Sequence, residues 1–275
     1  MNYKLLVLDI DGTATNSKKE VTPETKKAVI RLQEAGIPVA IASGRPVPGV
    51  APIADEFSFA SYGSYILSYN GGRILNWQTK ECVYKKTLPA SLVKRLYEDA
   101  LHYNTGIMTY TEDDRQILCG RSSDKYIELE SRICRMPLIL CDGDFSRRIT
   151  FDPVKCILTG EPDEMECLEP VIAEKYQNEA TVFRSEPFYL EVMPKNVDKA
   201  YCLSKLLKIL GLKREEMVCC GDGFNDVTML QYAGMGVAME NAKPAVKNVA
   251  DFITLSNDED GVAYAIRKFW PDLFV

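Results

Sequence analysis

Acidic residues follow an apolar segment near the start of the sequence. Asp9 and Asp11 stand directly after the apolar run from Tyr3 to Leu8, in the stretch Asp-Ile-Asp-Gly-Thr. Two carboxylates one residue apart in a sharp turn can do different chemistry. One can serve as a nucleophile or metal ligand while the other donates a proton.

The same arrangement returns near the other end of the chain. Asp222 follows the apolar run from Met217 to Cys220, and Asp226 lies four residues further on. Two glycines beside Asp222 permit a tight turn, and carboxylates suit a hard cation such as Mg²⁺. Asp226 has a second interpretation, an acid in the first turn of a helix that is stabilised by the helix dipole.

A hydroxyl and a cation complete the candidate site. Ser43 and Gly44 follow a second apolar run, and a hydroxyl with backbone N–H groups at such a turn can bind phosphate. Lys199 opens the helix that precedes the 217–220 run, where a cation could hold phosphate or balance the carboxylates. For any single lysine, a solvated surface position is the alternative.

Two other interpretations apply to the first acidic pair. Glu20 falls at the twelfth position from Asp9, as in a calcium-binding loop. However, Ala14 stands where that loop needs glycine, Thr13 replaces its third acid, and a strand precedes it instead of a helix. The second alternative is that Asp9 and Asp11 only shape a surface turn.

The elements that must position these side chains follow a strand–helix–strand order. The first strand is predicted at 3–8, a helix begins after the N-cap residue Thr22 and ends at Gly36, and a second strand runs over 37–42. Near the end of the chain, strands are predicted at 217–220, 235–239 and 252–255, and helices at 200–210, 225–233, 242–250 and 259–269. This order predicts a parallel sheet covered by helices, with ligands at the carboxyl ends of its strands.

The middle of the sequence differs from both ends. It contains predicted strands at 106–110, 155–159 and 181–184, and two helices at 90–103 and 162–176. The sequence therefore predicts an α+β insertion within a parallel α/β domain.

Composition excludes several classes of protein. The 275 residues carry a net charge of −6 and a pI of about 5.1, so general attraction to nucleic acid or anionic membranes is not expected. Nine cysteines without a Cys-x-x-Cys pair argue against a disulfide framework or structural zinc site, and His102 is the single histidine. We expect no signal peptide or membrane span and a cytoplasmic location.

Four spaced motifs resemble those of the haloacid dehalogenase superfamily of phosphohydrolases. They are Asp9-Ile10-Asp11-Gly12-Thr13, then Ile41-Ala42-Ser43-Gly44-Arg45-Pro46, then Lys199, then Gly221-Asp222-Gly223-Phe224-Asn225-Asp226. The insertion is similar to the large cap of the Cof-type sugar-phosphatase branch, which Asn70-Gly71 also matches. The resemblance implies a Rossmann-like parallel-sheet core over 1–81 and 191–275, with an α+β cap over 82–190 that selects the substrate.

The resemblance also implies a role for each motif residue. Asp9 becomes the nucleophile that forms an aspartyl-phosphate, and Asp11 the general acid and then the base. Mg²⁺ is implied on Asp9, the backbone carbonyl of Asp11 and Asp222. The residues implied to bind phosphate are the Ile10 backbone, Ser43, Gly44, Lys199 and Asn225. Asp226 is implied to contact these residues and not the phosphate itself.

The implied function is Mg²⁺-dependent hydrolysis of small phosphorylated metabolites, sugar phosphates above all, by a monomer or weak homodimer. A phosphomutase on the same scaffold is the enzymatic alternative, and a sugar-phosphate sensor without turnover is the alternative from another class. Four polar residues of the insertion could face the ligand, although surface exposure is the stronger expectation for each: Arg121, Lys125, Arg184 and Tyr189.

Overall fold

Strands and helices alternate along the chain in a computed structural model that describes residues 3–142 and 144–274. The strands are β1 (Leu5–Leu8), β2 (Val39–Ala42), β3 (Tyr65–Ser68), β4 (Arg73–Asn76), β5 (Cys82–Lys85), β6 (Gly106–Tyr110), β7 (Ile117–Cys119), β8 (Leu138–Leu140), β9 (Cys156–Thr159), β10 (Ala180–Glu186), β11 (Tyr189–Pro194), β12 (Met217–Gly221), β13 (Met235–Ala238) and β14 (Phe252–Ile253). The helices are α1 (Pro23–Glu34), α2 (Val47–Glu56), α3 (Phe59–Tyr62), α4 (Ala90–His102), α5 (Lys125–Cys134), α6 (Phe145–Arg148), α7 (Pro162–Tyr176), α8 (Lys199–Leu210), α9 (Val227–Tyr232), α10 (Pro244–Lys247) and α11 (Gly261–Phe269). None of the helices in this described part of the chain is long and apolar enough to cross a membrane.

The chain divides into two compact units, which we call the core unit and the inserted unit. The core unit comprises the residues up to Gly44, Val50–Tyr84 and the residues from Asp198 onward. The inserted unit comprises Arg45–Gly49 and Lys85–Val197. The sequence placed the boundaries of the insertion at 82 and 190. The difference arises because most of β5 belongs to the core unit, whereas all of β11 belongs to the sheet of the inserted unit.

An eight-stranded sheet forms the centre of the core unit, in the order β14-β13-β12-β1-β2-β3-β4-β5. The strands from β14 to β3 are parallel, and β4 returns antiparallel to β3. All four residues of β1 are buried, because the strand is central and both of its faces are covered. Its residues Leu5 and Val7 pack in one apolar cluster with Leu203 and Leu206 of α8.

The register of the central strands brings three strand ends to one edge of the sheet. Leu8, the last residue of β1, pairs with Cys220 of β12 on one side and with Ile41 of β2 on the other. The chain therefore leaves β1, β12 and β2 at the same level. Because β1 is flanked by strands reached in opposite directions along the sheet, this edge is the topological switch point where ligands bind in open α/β folds.

Capping residues fix where two core helices begin. The Oγ1 atom of Thr22 accepts a hydrogen bond from the backbone N–H of Thr25, and Pro23 occupies the first turn of α1. The Asp198 side chain accepts a bond from the N–H of Tyr201, so α8 begins at Lys199. The cap at Asp198 therefore fixes the position of Lys199 in the first turn of its helix.

A six-stranded sheet forms the inserted unit, in the order β10-β11-β9-β6-β7-β8. Its strands are antiparallel to their neighbours except for the parallel pair β7 and β8. One face carries apolar side chains, such as Leu158 and Leu190, that pack against Leu96 of α4 and Ile172 of α7. This packing is the core of the unit.

A buried ion pair joins two strands of the same sheet. Lys155, just before β9, lies 3.0 Å from Glu191 of β11, measured from Nζ to Oε1, and both side chains are almost fully buried. Burial alone would lower the pKa of Lys155, but the carboxylates of Glu191 and Glu130 raise it above its ordinary value. The second oxygen of Glu191 has no hydrogen-bond partner among the described residues.

We expect Lys155→Met to lower the free energy of unfolding by about 3–5 kcal/mol, because it leaves Glu191 charged, buried and unpaired. Adding Glu191→Leu should recover most of that loss, since it removes the uncompensated charge. Urea denaturation of the full-length variants measures both effects. A loss below about 1 kcal/mol for the single variant would show that the pair is solvated.

The α/β fold predicted from the sequence is confirmed, but two helix predictions were wrong in extent. The helix expected over 225–233 is a 3-10 turn, Phe224–Asp226, followed by α9. The helix expected over 242–250 is only α10, which begins at Pro244 because proline fits the first turn and lacks the N–H that an interior position needs.

Candidate active site

Acidic side chains meet where β1 and β12 end. Asp9 follows β1 and is 7% exposed, while Asp222 follows β12 and is partly buried. Asp226 lies in the turn after Asp222 and is completely buried. One carboxylate oxygen from each of the three lies within 4.8 Å of the others. The structure thus brings together aspartates that stand more than 200 residues apart in sequence.

A buried lysine joins two of these carboxylates. The Nζ atom of Lys199 lies 2.6 Å from Oδ1 of Asp9 and 2.5 Å from Oδ1 of Asp226, and the side chain is 1% exposed. The surface position that was the alternative for Lys199 is therefore wrong. Two carboxylates around one ammonium group leave this buried cluster with a net negative charge, which favours a further cation.

The electrostatics of the cluster show in its pKa values. Burial, with a smaller contribution from Asp226, raises the pKa of Asp9 to about 7 against the opposing effect of Lys199. Burial also raises the pKa of Asp222. For Lys199, burial would lower the pKa, but the charges of Asp9 and Asp226 raise it well above its ordinary value. The lysine therefore stays protonated at neutral pH.

Asp226 holds the turn after β12 in addition to pairing with Lys199. Its Oδ2 accepts hydrogen bonds from the backbone N–H groups of Asp222, at 3.0 Å, and Gly223, at 2.8 Å. Its Oδ1 is occupied by Lys199. Because both oxygens are engaged, Asp226 shapes the turn and holds the lysine, and Asp9 and Asp222 are the better metal ligands. A set of carboxylate oxygens fits Mg²⁺, which prefers hard oxygen donors.

Residues of the first motif that the sequence left without a role support Asp222. The hydroxyl of Thr13 donates to Oδ1 of Asp222 at 2.8 Å. Gly12 has φ +81°, and a β-carbon there would lie 2.4 Å from Oδ2 of Asp222. The turn after β1 therefore lies directly against Asp222, and only glycine fits at position 12. The Asp-Gly-Thr sequence after β1 was the signal that could have drawn attention to Gly12 and Thr13. It does not show that their partner is Asp222.

Asp11 lies at the edge of the cluster. Its Oδ1 accepts a hydrogen bond from Nζ of Lys19 at 2.8 Å, and both side chains are substantially exposed. An exposed ion pair of this kind contributes only about 0–1 kcal/mol. The Asp11 side chain can thus exchange Lys19 for another partner at little cost.

The alternatives for the first motif do not fit this geometry. Asp9 is buried against Lys199, so it does not merely shape a surface turn. A strand precedes the motif, Glu20 is exposed, and α1 begins only at Pro23, so the helix–loop–helix of a calcium-binding hand is absent from this described segment.

The expected phosphate ligands lie around the same sheet edge. Ser43 is buried at the end of β2, and Gly44 follows it. The side chain of Ile10 is buried, and its carbonyl accepts a hydrogen bond from the N–H of Thr15 at 3.0 Å. Asn225 is exposed in the turn that also carries Asp226.

Three of the four candidate polar residues of the inserted unit have partners within that unit. Arg184 pairs with Glu169 at 2.8 Å, and Lys125 with Glu161 at 2.6 Å. The hydroxyl of Tyr189 donates to the carbonyl of Tyr126, so it has a structural role. Arg121 is exposed.

Comparison with known proteins shows the family to which the chain belongs. Residues 6–266 match the family model described as haloacid dehalogenase-like hydrolase. The crystal structure of a haloacid dehalogenase-like hydrolase from Bacteroides thetaiotaomicron is 45% identical, with a TM-score of 0.92 over 98% of this chain and 100% of that one.

Two Bacillus subtilis proteins are similar over nearly their whole lengths. YxeH, named "Putative phosphatase", is 32% identical over 97% of this chain and 98% of its own. YcsE, named 5-amino-6-(5-phospho-D-ribitylamino)uracil phosphatase, is 29% identical over 98% of this chain and 96% of its own. By its family match, its near-identical fold and these relatives, the chain belongs to the haloacid dehalogenase-like hydrolases and is a phosphatase of that family.

Proposed function

We propose that the chain is a Mg²⁺-dependent phosphatase that hydrolyses small phosphorylated metabolites, sugar phosphates above all, through an aspartyl-phosphate on Asp9. The observation that carries this proposal is the buried Asp9–Lys199–Asp226 cluster, with Asp222 at the adjacent strand end. YcsE, by its name, acts on 5-amino-6-(5-phospho-D-ribitylamino)uracil, which supports a small phosphorylated metabolite as substrate.

The first step transfers the phosphoryl group to the enzyme. A carboxylate oxygen of Asp9 attacks phosphorus, the ester P–O bond breaks, and Asp11 gives a proton to the departing alkoxide. For this step Asp11 must have left its exposed ion pair with Lys19 and must hold a proton, which it regains from water in the second step of each turnover. Lys199 holds Asp9 in place and offsets negative charge as the two anions approach.

The second step regenerates the enzyme. Asp11, now a carboxylate, takes a proton from water as that water attacks phosphorus. The bond between phosphorus and the Asp9 oxygen breaks, which releases inorganic phosphate and restores the Asp9 carboxylate. Ser43, the N–H of Gly44, the Ile10 backbone and Asn225 would hold the phosphate oxygens through both steps.

The residues that would hold Mg²⁺ are Asp9, Asp222 and the backbone carbonyl of Asp11. When bound, the ion neutralises charge on the phosphate and the carboxylate, which is worth several kcal/mol of transition-state stabilisation. Thr13 and Gly12 keep Asp222 in place for this purpose.

The inserted unit would select the substrate. The proposal includes a cytoplasmic enzyme, a monomer or weak homodimer, without nucleic-acid or membrane partners. The odd number of cysteines supports the cytoplasmic location, and the net charge of −6 supports the absence of nucleic-acid and membrane partners.

We expect excess EDTA to abolish hydrolysis of 4-nitrophenyl phosphate and added Mg²⁺ to restore it. Asp222→Ala should lower kcat/KM by about 10³-fold or more, because it removes a metal ligand without opening the core. Asp272→Ala, at an exposed position, is the matched control and should retain normal turnover. Full activity in excess EDTA would contradict the metal assignment, and release of isomerised sugar phosphate in place of inorganic phosphate would indicate a mutase.

A further inference from the structure

The turn after β3 has an unusual backbone. Tyr69, Asn70 and Gly71 all have positive φ angles, of +56°, +51° and +103°. Left-handed backbone is rare for an aromatic residue, and Tyr69 adopts it with its side chain completely buried. Such a conformation persists only where the surrounding structure determines it, and it occurs often at functional sites.

The turn touches two elements of the candidate site through its backbone. The N–H of Asn70 donates to the carbonyl of Ser43 at 2.9 Å, which ties the turn to the end of β2. A β-carbon at Gly71 would lie 2.5 Å from the carbonyl oxygen of Asp198 and 2.7 Å from Cβ of Cys202. The turn is therefore packed directly on the start of α8, next to Lys199.

The Asn70 side chain reaches two further residues. A β-carbon at Gly44 would lie 3.1 Å from both Oδ1 and Nδ2 of Asn70, so the carboxamide lies over Gly44 in the room that the absent side chain leaves. The Nδ2 group of Asn225 donates to Oδ1 of Asn70 at 3.3 Å. The contact with Asn225 uses only one of the two hydrogens on its Nδ2 atom, so the other stays available to a phosphate oxygen.

We propose that Asn70 is a positioning residue that orients the Asn225 carboxamide toward the substrate phosphate. This inference rests on the proposed function, because the phosphate in question is the one that Asp9 attacks. The Nδ2 group of Asn225 has two hydrogens. Donating one of them to Asn70 fixes the plane of the carboxamide and directs the second to a phosphate oxygen.

Exposure explains why Asn225 needs such a partner. An exposed side chain samples several rotamers, and ordering it at the moment of binding reduces affinity. The bond to Asn70 orders it beforehand. Asparagine suits position 70 because it tolerates left-handed backbone and carries an acceptor, whereas glycine has the first property only.

The test compares Asn70→Gly with a matched control, Asn104→Gly. Both asparagines have left-handed backbone, and Asn104 is exposed in the inserted unit. Glycine keeps the conformation at each position, so the melting temperature of either variant should stay within about 2 °C of the parent. Steady-state kinetics with 4-nitrophenyl phosphate and inhibition by inorganic phosphate are then measured for both, for Asn225→Ala, and for Asn70→Gly combined with Asn225→Ala.

We expect Asn70→Gly to lower kcat/KM about tenfold and to weaken phosphate inhibition by a similar factor, as loss of one orienting hydrogen bond would. In the Asn225→Ala background the same change should have less than about a twofold effect, because the residue through which Asn70 acts is gone. The Asn104→Gly control should match the parent.

Two results would overturn the inference while leaving the proposed function intact. One is an Asn70→Gly enzyme with unchanged kinetics and phosphate affinity. The other is an equal loss in the presence and absence of the Asn225 side chain, which would mean that Asn70 acts on the fold alone. A parent protein that neither hydrolyses 4-nitrophenyl phosphate nor binds phosphate would overturn both proposals together.

Discussion

Asp11→Asn should release about one 4-nitrophenolate per active site from 4-nitrophenyl phosphate and then nearly stop. Asp11 has two tasks in the proposed mechanism, and this substrate needs only one of them. 4-Nitrophenolate is a weak base that departs without a proton, so transfer of phosphate to Asp9 continues at a reduced rate. Hydrolysis of the aspartyl-phosphate stalls, because asparagine cannot take a proton from water.

Stopped-flow absorbance measures this burst, and peptide mapping should find phosphate on the peptide that contains Asp9. Asp9→Asn should show neither burst nor label, since it lacks the nucleophile. With a sugar phosphate, whose alkoxide must be protonated, Asp11→Asn should also lose the first step.

Lys19→Asn is the control for the lost ion pair. It breaks the contact with Asp11 at a position of left-handed backbone that asparagine tolerates, and it leaves the carboxyl group in place. Its turnover should stay within about threefold of the parent. Normal turnover of sugar phosphates by Asp11→Asn would refute the role of Asp11.

The parts of the site that the sequence predicts are those that depend on strand ends. An apolar run, a turn and a polar residue form a local pattern, and parallel strands must end at a common edge. Asp9, Asp222 and Ser43 follow such runs, and the structure places all three at that edge. The role of Lys199 in the site was predicted only through the family resemblance, because the neighbouring sequence does not distinguish a buried lysine from a solvated one.

The contacts that hold the site could not be predicted in this way. Thr13 and Asp222 are 209 residues apart in sequence. The spacing of apolar residues predicts local helices and strands, but it does not predict a contact between such distant residues. The left-handed turn at Tyr69 is likewise determined by its packing, since an isolated tyrosine disfavours that conformation. The strands β4 (RILN) and β5 (CVYK) were missed because each contains polar residues, so neither forms the apolar run that marked the predicted strands.

Lys199→Met should lower kcat/KM by about 10³-fold or more and destabilise the protein by about 3–5 kcal/mol. Methionine nearly fills the space of the lysine, so both effects report the missing charge. Turnover falls because the ammonium group no longer helps to offset the repulsion between Asp9 and the phosphate. Stability falls because Asp9 and Asp226 remain buried together without their common partner.

A second substitution separates these two effects. Asp226→Asn in the Lys199→Met background removes one of the two uncompensated charges, so much of the lost stability should return in urea denaturation. Activity should not return, because the cation beside the nucleophile is still missing. Lys208→Met, at an exposed position of the same helix, is the control and should change neither quantity.

If stability and turnover recovered together, Lys199 would act only by holding the fold. If Lys199→Met lowered turnover by less than about threefold, the lysine would have no role in phosphate transfer. Loss of turnover that persists after stability is restored is the result that places Lys199 in the chemistry.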